Sequence, residues 1–207
     1  MRFLKGGALV LAASLAGGCA GIRTGYFSEP YTGDPPRRPG PRTAYERSRR
    51  NEIPLPGLKL KVDLLNNVQV SDSIWFGIGI PMVPVRVRHP RPPAPGPTCV
   101  VQVRFEALEP GIAFDPARAR LVVDGTSHTP TAFQPYLWST GRWESVASAP
   151  LDAAPDRDYK IELHFATPRP RPEQDILLDL GPAIRHPGLD PFPIIHFRKQ
   201  KWREFYS

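Results

Sequence analysis

Apolar and polar residues alternate with a period of two along several short segments of the chain. Such segments lie at residues 58–64, 99–106 and 159–165, where apolar residues are separated mainly by charged or polar ones. Because successive side chains of a strand point to opposite faces, this pattern predicts half-buried β-strands. The apolar run before Asp124-Gly125 predicts a strand that enters a tight hairpin.

Shorter apolar runs predict further strands at 176–178 and 192–197, with weaker ones near 136–138 and 143–147. No segment sustains the 3.6-residue period of a helix, apart from a single turn predicted at Asp115–Arg120, where Asp-Pro suits an N-cap followed by proline. Seven to nine short strands separated by turns predict an all-β antiparallel sandwich, with a closed barrel as the alternative. In strand count and spacing the chain resembles the immunoglobulin-like sandwiches of bacterial surface lipoproteins.

Proline accounts for 27 of the 207 residues. This excludes a helical bundle, because proline removes a helix donor and clashes with the preceding turn. Two proline-rich stretches, residues 81–97 and 167–172, are predicted to be loops or sheet edges, since proline cannot donate to a central ladder. At an edge they would also block pairing between molecules, so we expect a monomer.

The N-terminus has the composition of a secretory signal. Arg2 and Lys5 precede a short apolar run, and small residues then lead to Cys19. The run is too short to cross a bilayer, which takes about 20 apolar residues. We therefore expect residues 1–18 to be a signal peptide that is removed on export.

The residues just before the cysteine carry a more specific signal. Residues 15–19, Leu-Ala-Gly-Gly-Cys, resemble the lipobox of bacterial lipoproteins. The resemblance implies that the Cys19 thiol receives a diacylglycerol and that its new amine takes a fatty acyl chain such as palmitate. Ala20 after the cysteine implies sorting to the outer membrane. Ordinary cleavage after Gly18 without lipidation is the alternative, because Ala16 and Gly18 fit the small-x-small rule.

Residues 19–52 hold few large aliphatic residues and many prolines, glycines and arginines. This composition predicts a lipidated N-terminus followed by a flexible tether, semi-extended where it is polyproline-like. The arginines of this segment are candidates for contact with anionic head groups. The β-sandwich domain is then predicted to occupy residues 53–207.

Two segments are candidates for binding a partner. The most apolar stretch after the signal, residues 74–85, includes Trp75 and Phe76 and is either a buried strand or an exposed apolar loop. The C-terminal tail, residues 196–206, mixes basic and aromatic residues, which are favoured at interfaces. The candidate residues in this tail are Arg198, Lys199, Trp202 and Arg203.

Tryptophan and tyrosine side chains offer a further candidate surface. We expect most of them to pack into the sandwich core, because aromatic residues dominate such cores. The alternative is that they form, with nearby arginines, an aromatic platform for a glycan or a protein, and Trp202 is the strongest candidate for a role outside the core. The residues concerned are Trp75, Tyr136, Trp138, Trp143 and Trp202.

The charge balance narrows the class of partner. The formal net charge is +7, which favours attraction to an anionic partner. For an exported protein we expect an envelope protein, or an anionic glycan or lipid, in addition to the membrane that holds the anchor. We expect no nucleic acid partner, because no nucleic-acid-binding motif is visible.

The sequence contains no catalytic or metal-binding motif that we recognise. Its five histidines form neither H-x-H nor H-E-x-x-H, and the glycines form neither a nucleophile elbow nor a phosphate-binding loop. We therefore predict a non-catalytic binding or scaffolding protein without cofactor or metal. The alternative is a periplasmic enzyme or metal-dependent protein whose site is assembled from scattered His, Asp and Glu residues.

Overall fold

The computed structural model describes residues 19–35, 41, 43, 51–76, 83–89, 96–144 and 150–206, and the side chains of these except 19–20, 75–76 and 83–86. This part of the chain forms sixteen strands and one 3₁₀ turn. The predicted seven to nine strands are too few, because several strands are two-residue pairs that no alternation can reveal. The strands are β1 (Cys19–Tyr31), β2 (Glu52–Leu55), β3 (Leu58–Leu64), β4 (Val68–Phe76), β5 (Val83–Arg88), β6 (Cys99–Ala107), β7 (Ala113–Phe114), β8 (Arg120–Val123), β9 (Thr126–His128), β10 (Pro130–Leu137), β11 (Arg142–Trp143), β12 (Leu151–Asp152), β13 (Asp158–Phe165), β14 (Ile176–Asp179), β15 (Ile184–Arg185) and β16 (Ile195–Tyr206).

These strands make two large sheets and a small third one. The larger sheet has seven strands in the order β5-β4-β1-β16-β14-β8-β9, and the second has six in the order β11-β10-β13-β6-β3-β2. The third sheet has the order β12-β7-β15, and the neighbouring strands of all three sheets run antiparallel. The predicted all-β antiparallel sandwich is therefore confirmed, while its immunoglobulin-like character stays a prediction.

One apolar core lies between the two large sheets. Leu60 of β3, Val103 of β6 and Leu163 of β13 are fully buried, and the polar residues between them face outwards. The seven-stranded sheet supplies Leu121 and Ile195 to the same core. The alternation that predicted the strands therefore also identifies their inward faces.

Two local signals in the sequence form the structures they predict. The Asp115 carboxylate accepts a hydrogen bond from the backbone N–H of Ala117 and begins a 3₁₀ turn at Pro116–Arg118. Asp124 and Gly125 have φ values of 48° and 80°. Positive φ at both positions suits the tight hairpin between β8 and β9.

The prediction of a flexible tether over residues 19–52 is wrong for residues 19–31. These residues form β1, which lies between β4 and β16 and pairs with both. The segment contains a single proline, Pro30, so most of its backbone N–H groups can join a sheet. The sheets therefore include residues 19–31 as well as residues from 52 onwards. Most of the Pro/Arg-rich remainder, at 36–40, 42 and 44–50, lies outside the described residues.

β1 and β16 are long strands that extend past the opposing sheet. They pair continuously from Gly21 opposite Tyr206 to Tyr31 opposite His196. Ile195 is buried in the core, but later positions on the same face of β16, from residue 199 onwards, are exposed. We call residues 19–28 of β1 and 199–206 of β16 the ribbon.

The proline-rich stretches lie where strand pairing ends. β5, which carries Pro84, is an outermost strand of the seven-stranded sheet. Residues 167–172 form a loop between β13 and β14. Both positions agree with the predicted loops and edges, although 81–82 and 90–95 lie outside the described residues.

Candidate functional site

Three of the five aromatic residues that are candidates for a platform lie together on the six-stranded sheet. Tyr136 of β10 pairs with Trp143 of β11, and Trp138 lies in the turn that follows β10. The Tyr136 ring centroid lies 4.8 Å from that of Trp138 and 5.1 Å from that of Trp143, in edge-to-face geometry. This arrangement is favoured by the ring quadrupoles. We call these three residues the aromatic cluster.

Two cations lie over the rings of the aromatic cluster. The Lys160 Nζ atom is 5.4 Å from the Tyr136 centroid and 4.9 Å from the Trp143 centroid. The Arg104 guanidinium carbon is 5.7 Å from the Trp138 centroid. These distances allow cation–π attraction to the negative ring faces. Lys160 and Arg104 alternate with buried residues on β13 and β6, which places the cluster on the outer face of the sheet.

Asp158 holds this arrangement in place. Its carboxylate accepts hydrogen bonds from Arg104 Nε at 2.9 Å and Nη2 at 2.6 Å. These hydrogen bonds to Asp158 raise the pKa of Arg104. The Asp158 backbone carbonyl accepts a hydrogen bond from Trp138 Nε1 at 3.3 Å. Trp138 is thus oriented by hydrogen bonding while 56% of its surface stays exposed.

A shallow polar cavity of about 220 Å³ adjoins the aromatic cluster and shares Arg104 and Asp158 with it. Lys59 Nζ and Glu106 Oε1 form an ion pair at 3.0 Å along its wall. The cluster and the cavity together form an outer surface with exposed ring faces next to both donors and acceptors. The other polar residues that line the cavity are Glu52 and Lys61.

The structure places Trp202 away from this surface. Trp202 is only 8% exposed and packs against Gly25, its cross-strand neighbour. A Cβ atom on Gly25 would lie 2.6 Å from the Trp202 ring, so the glycine makes room for the indole. The expectation that Trp202 docks onto a partner is therefore wrong, because this face of the ribbon is closed.

The charged residues of the predicted tail site are divided between the two faces of β16. Arg198 donates hydrogen bonds to the Glu29 carboxylate at 2.9 and 2.5 Å, and their side chains are 15% and 5% exposed. Lys199 lies 2.5 Å from Glu173 Oε1. Arg203 is exposed. The four predicted tail residues therefore do not form one surface.

Trp75 and Phe76 belong to strand β4, and Cys19 is the first residue of β1. Phe76 pairs with Cys19, and Trp75 pairs with Ala20. Residues 74–76 and 83–85 therefore form strands, as the strand alternative for residues 74–85 predicts, and no loop is found at these two described ends. The side chains of Cys19, Trp75 and Phe76, and all of residues 77–82, lie outside the described part.

Histidines in the described part serve local structure. The His186 Nδ1 atom accepts a hydrogen bond from the Gly188 N–H at 3.1 Å, so Nε2 carries the proton and donates to the Pro56 carbonyl at 2.8 Å. His164 Nε2 lies 3.5 Å from Glu162 Oε2. Among the described residues, no three His, Cys, Asp or Glu side chains converge as a metal site would require.

The sequence reasoning missed Lys160, Arg104 and Asp158 as parts of the surface. Alternation does place Lys160 and Arg104 on polar faces of their strands. It does not show that β13 pairs with both β6 and β10, which brings the two cations to the aromatic rings. The missing information was the strand order.

Comparison with protein-family models, with curated proteins and with solved structures finds no match for this chain. In the described residues, no helix has the length and apolar character needed to cross a membrane.

Proposed function

We propose that the protein is a cell-envelope lipoprotein whose β-sandwich binds an anionic glycan without catalysing a reaction. The proposal has two parts: an export and lipidation signal in residues 1–19, and a binding surface formed by the aromatic cluster and its cations. We place the anchor in the outer membrane, because bacterial lipoproteins with a residue such as Ala20 after the cysteine are usually sorted there.

The anchor is supported by the lipobox-like residues 15–19 and by the charged and apolar regions that precede them. Acyl chains on the Cys19 thiol and amine hold a protein stably, because one chain alone binds a membrane only marginally.

The observation that carries the binding role is the exposed Trp138 ring, packed on Tyr136, in a cluster where Lys160 lies over the Tyr136 and Trp143 rings. A ring face with a negative potential can stack against the apolar C–H face of a sugar. The Lys160 ammonium, which forms no ion pair with any described residue, has three donors for a carboxylate or a phosphate. An anionic sugar polymer presents both groups to such a surface.

Cosedimentation with purified peptidoglycan, and titration with lipopolysaccharide, test the binding role. The protein is the Cys19→Ser variant, which lacks the acylated thiol and so reports the domain alone. We expect Trp138→Ala to weaken binding at least tenfold, as about 1.4 kcal/mol from an interfacial tryptophan would. Ile194→Ala is the matched control, because it removes an exposed apolar side chain outside the aromatic cluster and should leave binding unchanged.

Absence of binding to both glycans, or equal binding by the Trp138→Ala variant, would refute the glycan role. If the Trp138→Ala variant kept glycan binding while a Phe205→Ala variant lost it, the glycan site would lie on the seven-stranded sheet and the proposal would be refuted.

Growth of cells with labelled palmitate tests the anchor. We expect label on the wild-type protein in the outer-membrane fraction, and no label on the Cys19→Ser variant. Unlabelled, soluble wild-type protein would mean that the signal is cut by ordinary signal peptidase and that no anchor forms.

A further inference from the structure

One side of β16 in the ribbon is basic and ends in an aromatic residue. Lys199, Lys201, Arg203 and Phe205 occupy alternate positions, so they project from the same face of the strand, and all four are exposed. We call these four residues, with Ile22 of β1, the basic face. It continues the core-facing side of β16 beyond the end of the opposing sheet.

The opposite face of the ribbon is closed by its own side chains. Trp202 packs on Gly25, and Tyr206 covers Gly21. The Tyr206 hydroxyl donates a hydrogen bond to Asp72 Oδ1 at 2.5 Å. These contacts leave the basic face as the open side of the ribbon.

Charge is divided between the two faces. By the strand register, Glu204 and Asp72 of β4 lie on the closed face. On the basic face, Lys199 is paired as described above, but Lys201 and Arg203 form no ion pair with any described residue. The open side therefore presents unpaired positive charge.

Three apolar side chains, Phe205, Ile22 and Val87, lie in one row across the sheet beside these cations, with the polar Ser73 of β4 between the last two. Phe205 lies opposite Ile22, Ile22 lies opposite Ser73 of β4, and Ser73 lies opposite Val87 of β5. Phe205 is 64% exposed and Val87 is 54% exposed. Exposed apolar side chains next to unpaired cations suit an anionic bilayer, where acyl chains begin just below negatively charged head groups.

The basic face is also close to the proposed point of lipidation. Ile22 follows Cys19 by three residues, a distance of about 10 Å along a strand that rises about 3.4 Å per residue. Because β1 is an interior strand of the sheet, no tether separates Cys19 from this face. Acyl chains on Cys19 would hold it at the lipid surface.

From these observations we infer that the basic face is a membrane-contact surface, and that its partner is the anionic phospholipid bilayer that holds the anchor. The inference rests on the proposed function in one respect, since the anchor selects which surface lies nearest. The sandwich sits directly on the membrane, with the aromatic cluster on its other large sheet available for the glycan.

Vesicle flotation tests this contact without help from the acyl chains. The purified Cys19→Ser protein is mixed with vesicles of phosphatidylglycerol and phosphatidylcholine, or of phosphatidylcholine alone. We expect binding to the anionic vesicles that weakens as salt is added. The double variant Lys201→Gln/Arg203→Gln should bind about 25-fold more weakly, since each cation near an anionic surface contributes about fivefold. Phe205→Ala should also weaken binding.

Arg142→Gln is the matched control, because it removes one exposed cation from the six-stranded sheet and should change flotation little. Near-ultraviolet circular dichroism checks that each variant is folded. Equal flotation on neutral vesicles, or an unchanged double variant, or an equal loss in Arg142→Gln, would overturn the inference.

This experiment and the labelling experiment can fail separately. Flotation that depends on Lys201 and Arg203, without palmitate label in cells, would refute the anchor and keep the contact surface. Palmitate label without such flotation would keep the anchor and refute the contact surface.

Discussion

The aromatic cluster and the ribbon contain the same kinds of residue but use them in opposite ways. Trp138 of the cluster is 56% exposed, whereas Trp202 of the ribbon is 8% exposed. Both tryptophans have arginine or lysine near them in the sequence or in space. The difference comes from the cross-strand neighbour. Trp202 lies opposite Gly25, and its ring occupies the space that a side chain at position 25 would take, whereas Trp138 lies in a turn without a cross-strand glycine. Local composition therefore does not decide whether an aromatic residue is available to bind.

The arginines of the two regions differ in the same way. Arg104 and Asp158 keep side-chain exposures of 49% and 30%, but Arg198 and Glu29 keep only 15% and 5%. An exposed pair is weakened by water and salt and contributes little to stability. Breaking a buried pair leaves an unpaired charge in the interior. The two ion pairs should therefore respond very differently to the same substitution.

The largest expected effect is that of Arg198→Met. It removes the guanidinium that pairs with the buried Glu29 carboxylate, and we expect the free energy of unfolding to fall by about 3 to 5 kcal/mol. Arg104→Met is the control and should cost less than about 1 kcal/mol. Urea unfolding measures both. Similar losses in the two variants would remove the distinction between the regions.

The next effect separates the two tryptophans. Trp202→Ala removes a buried indole and should lower the free energy of unfolding by about 3 kcal/mol. Trp138→Ala removes a mostly exposed one and should cost less than about 1 kcal/mol of unfolding free energy while it weakens glycan binding at least tenfold. Thermal and urea unfolding would contradict this contrast if Trp138→Ala proved the more destabilising.

A smaller effect tests the role of the glycine partner. In Gly25→Ala the new Cβ would crowd the Trp202 ring and the Val68 carbonyl oxygen, at an expected cost of about 1 to 3 kcal/mol. In Gly96→Ala the Cβ has no neighbour within 4 Å, and the change should stay within about 0.5 kcal/mol. An unchanged Gly25→Ala protein would show that the ribbon can shift to accept a side chain.

The smallest effect at neutral pH concerns the core that both sheets share. Burial raises the pKa of the Cys99 thiol to about 12 from 9.0, with Arg169 opposing this slightly. Between these pH values the unfolded chain loses the proton and the folded chain keeps it, so stability should fall as pH rises from about 9 to about 12. The comparison is made in Cys19→Ser protein with and without Cys99→Ala. The loss of stability due to Cys99 between about pH 9 and about pH 12 should disappear in the Cys99→Ala variant. An equal loss of stability in both proteins would contradict the assignment of this effect to Cys99.

Much of the fold could be predicted because its cause is local. The period-two pattern of residues 58–64 reflects one face in the core and one face towards solvent, and strand β3 spans the same residues. The Asp115 cap and the Asp124-Gly125 turn depend on a few neighbouring residues, and both form as predicted. β1 was not predicted, because glycines in a sequence usually indicate turns or loops. In the structure, Gly21 and Gly25 leave room for the Tyr206 and Trp202 rings.

The candidate surface was predictable only in part. The sequence marked Tyr136, Trp138 and Trp143 as candidates for a platform, but it favoured core packing for most aromatic residues and favoured Trp202 for contact with a partner. It contained no sign that Lys160 and Arg104 would lie over the rings, since these residues come from strands far apart in the chain.

The amino-acid sequence by itself determined which segments become strands, which side of each strand is apolar, and where the tight turns lie. These properties follow from the alternation of side chains and from the backbone preferences of a few residues. Only the tertiary structure decided that β1 lies between β4 and β16, that Trp202 is buried while Trp138 is exposed, and that Lys201, Arg203 and Phe205 share an open face. Strand order and register join residues more than a hundred positions apart, and their energies depend on cross-strand contacts that no local pattern records.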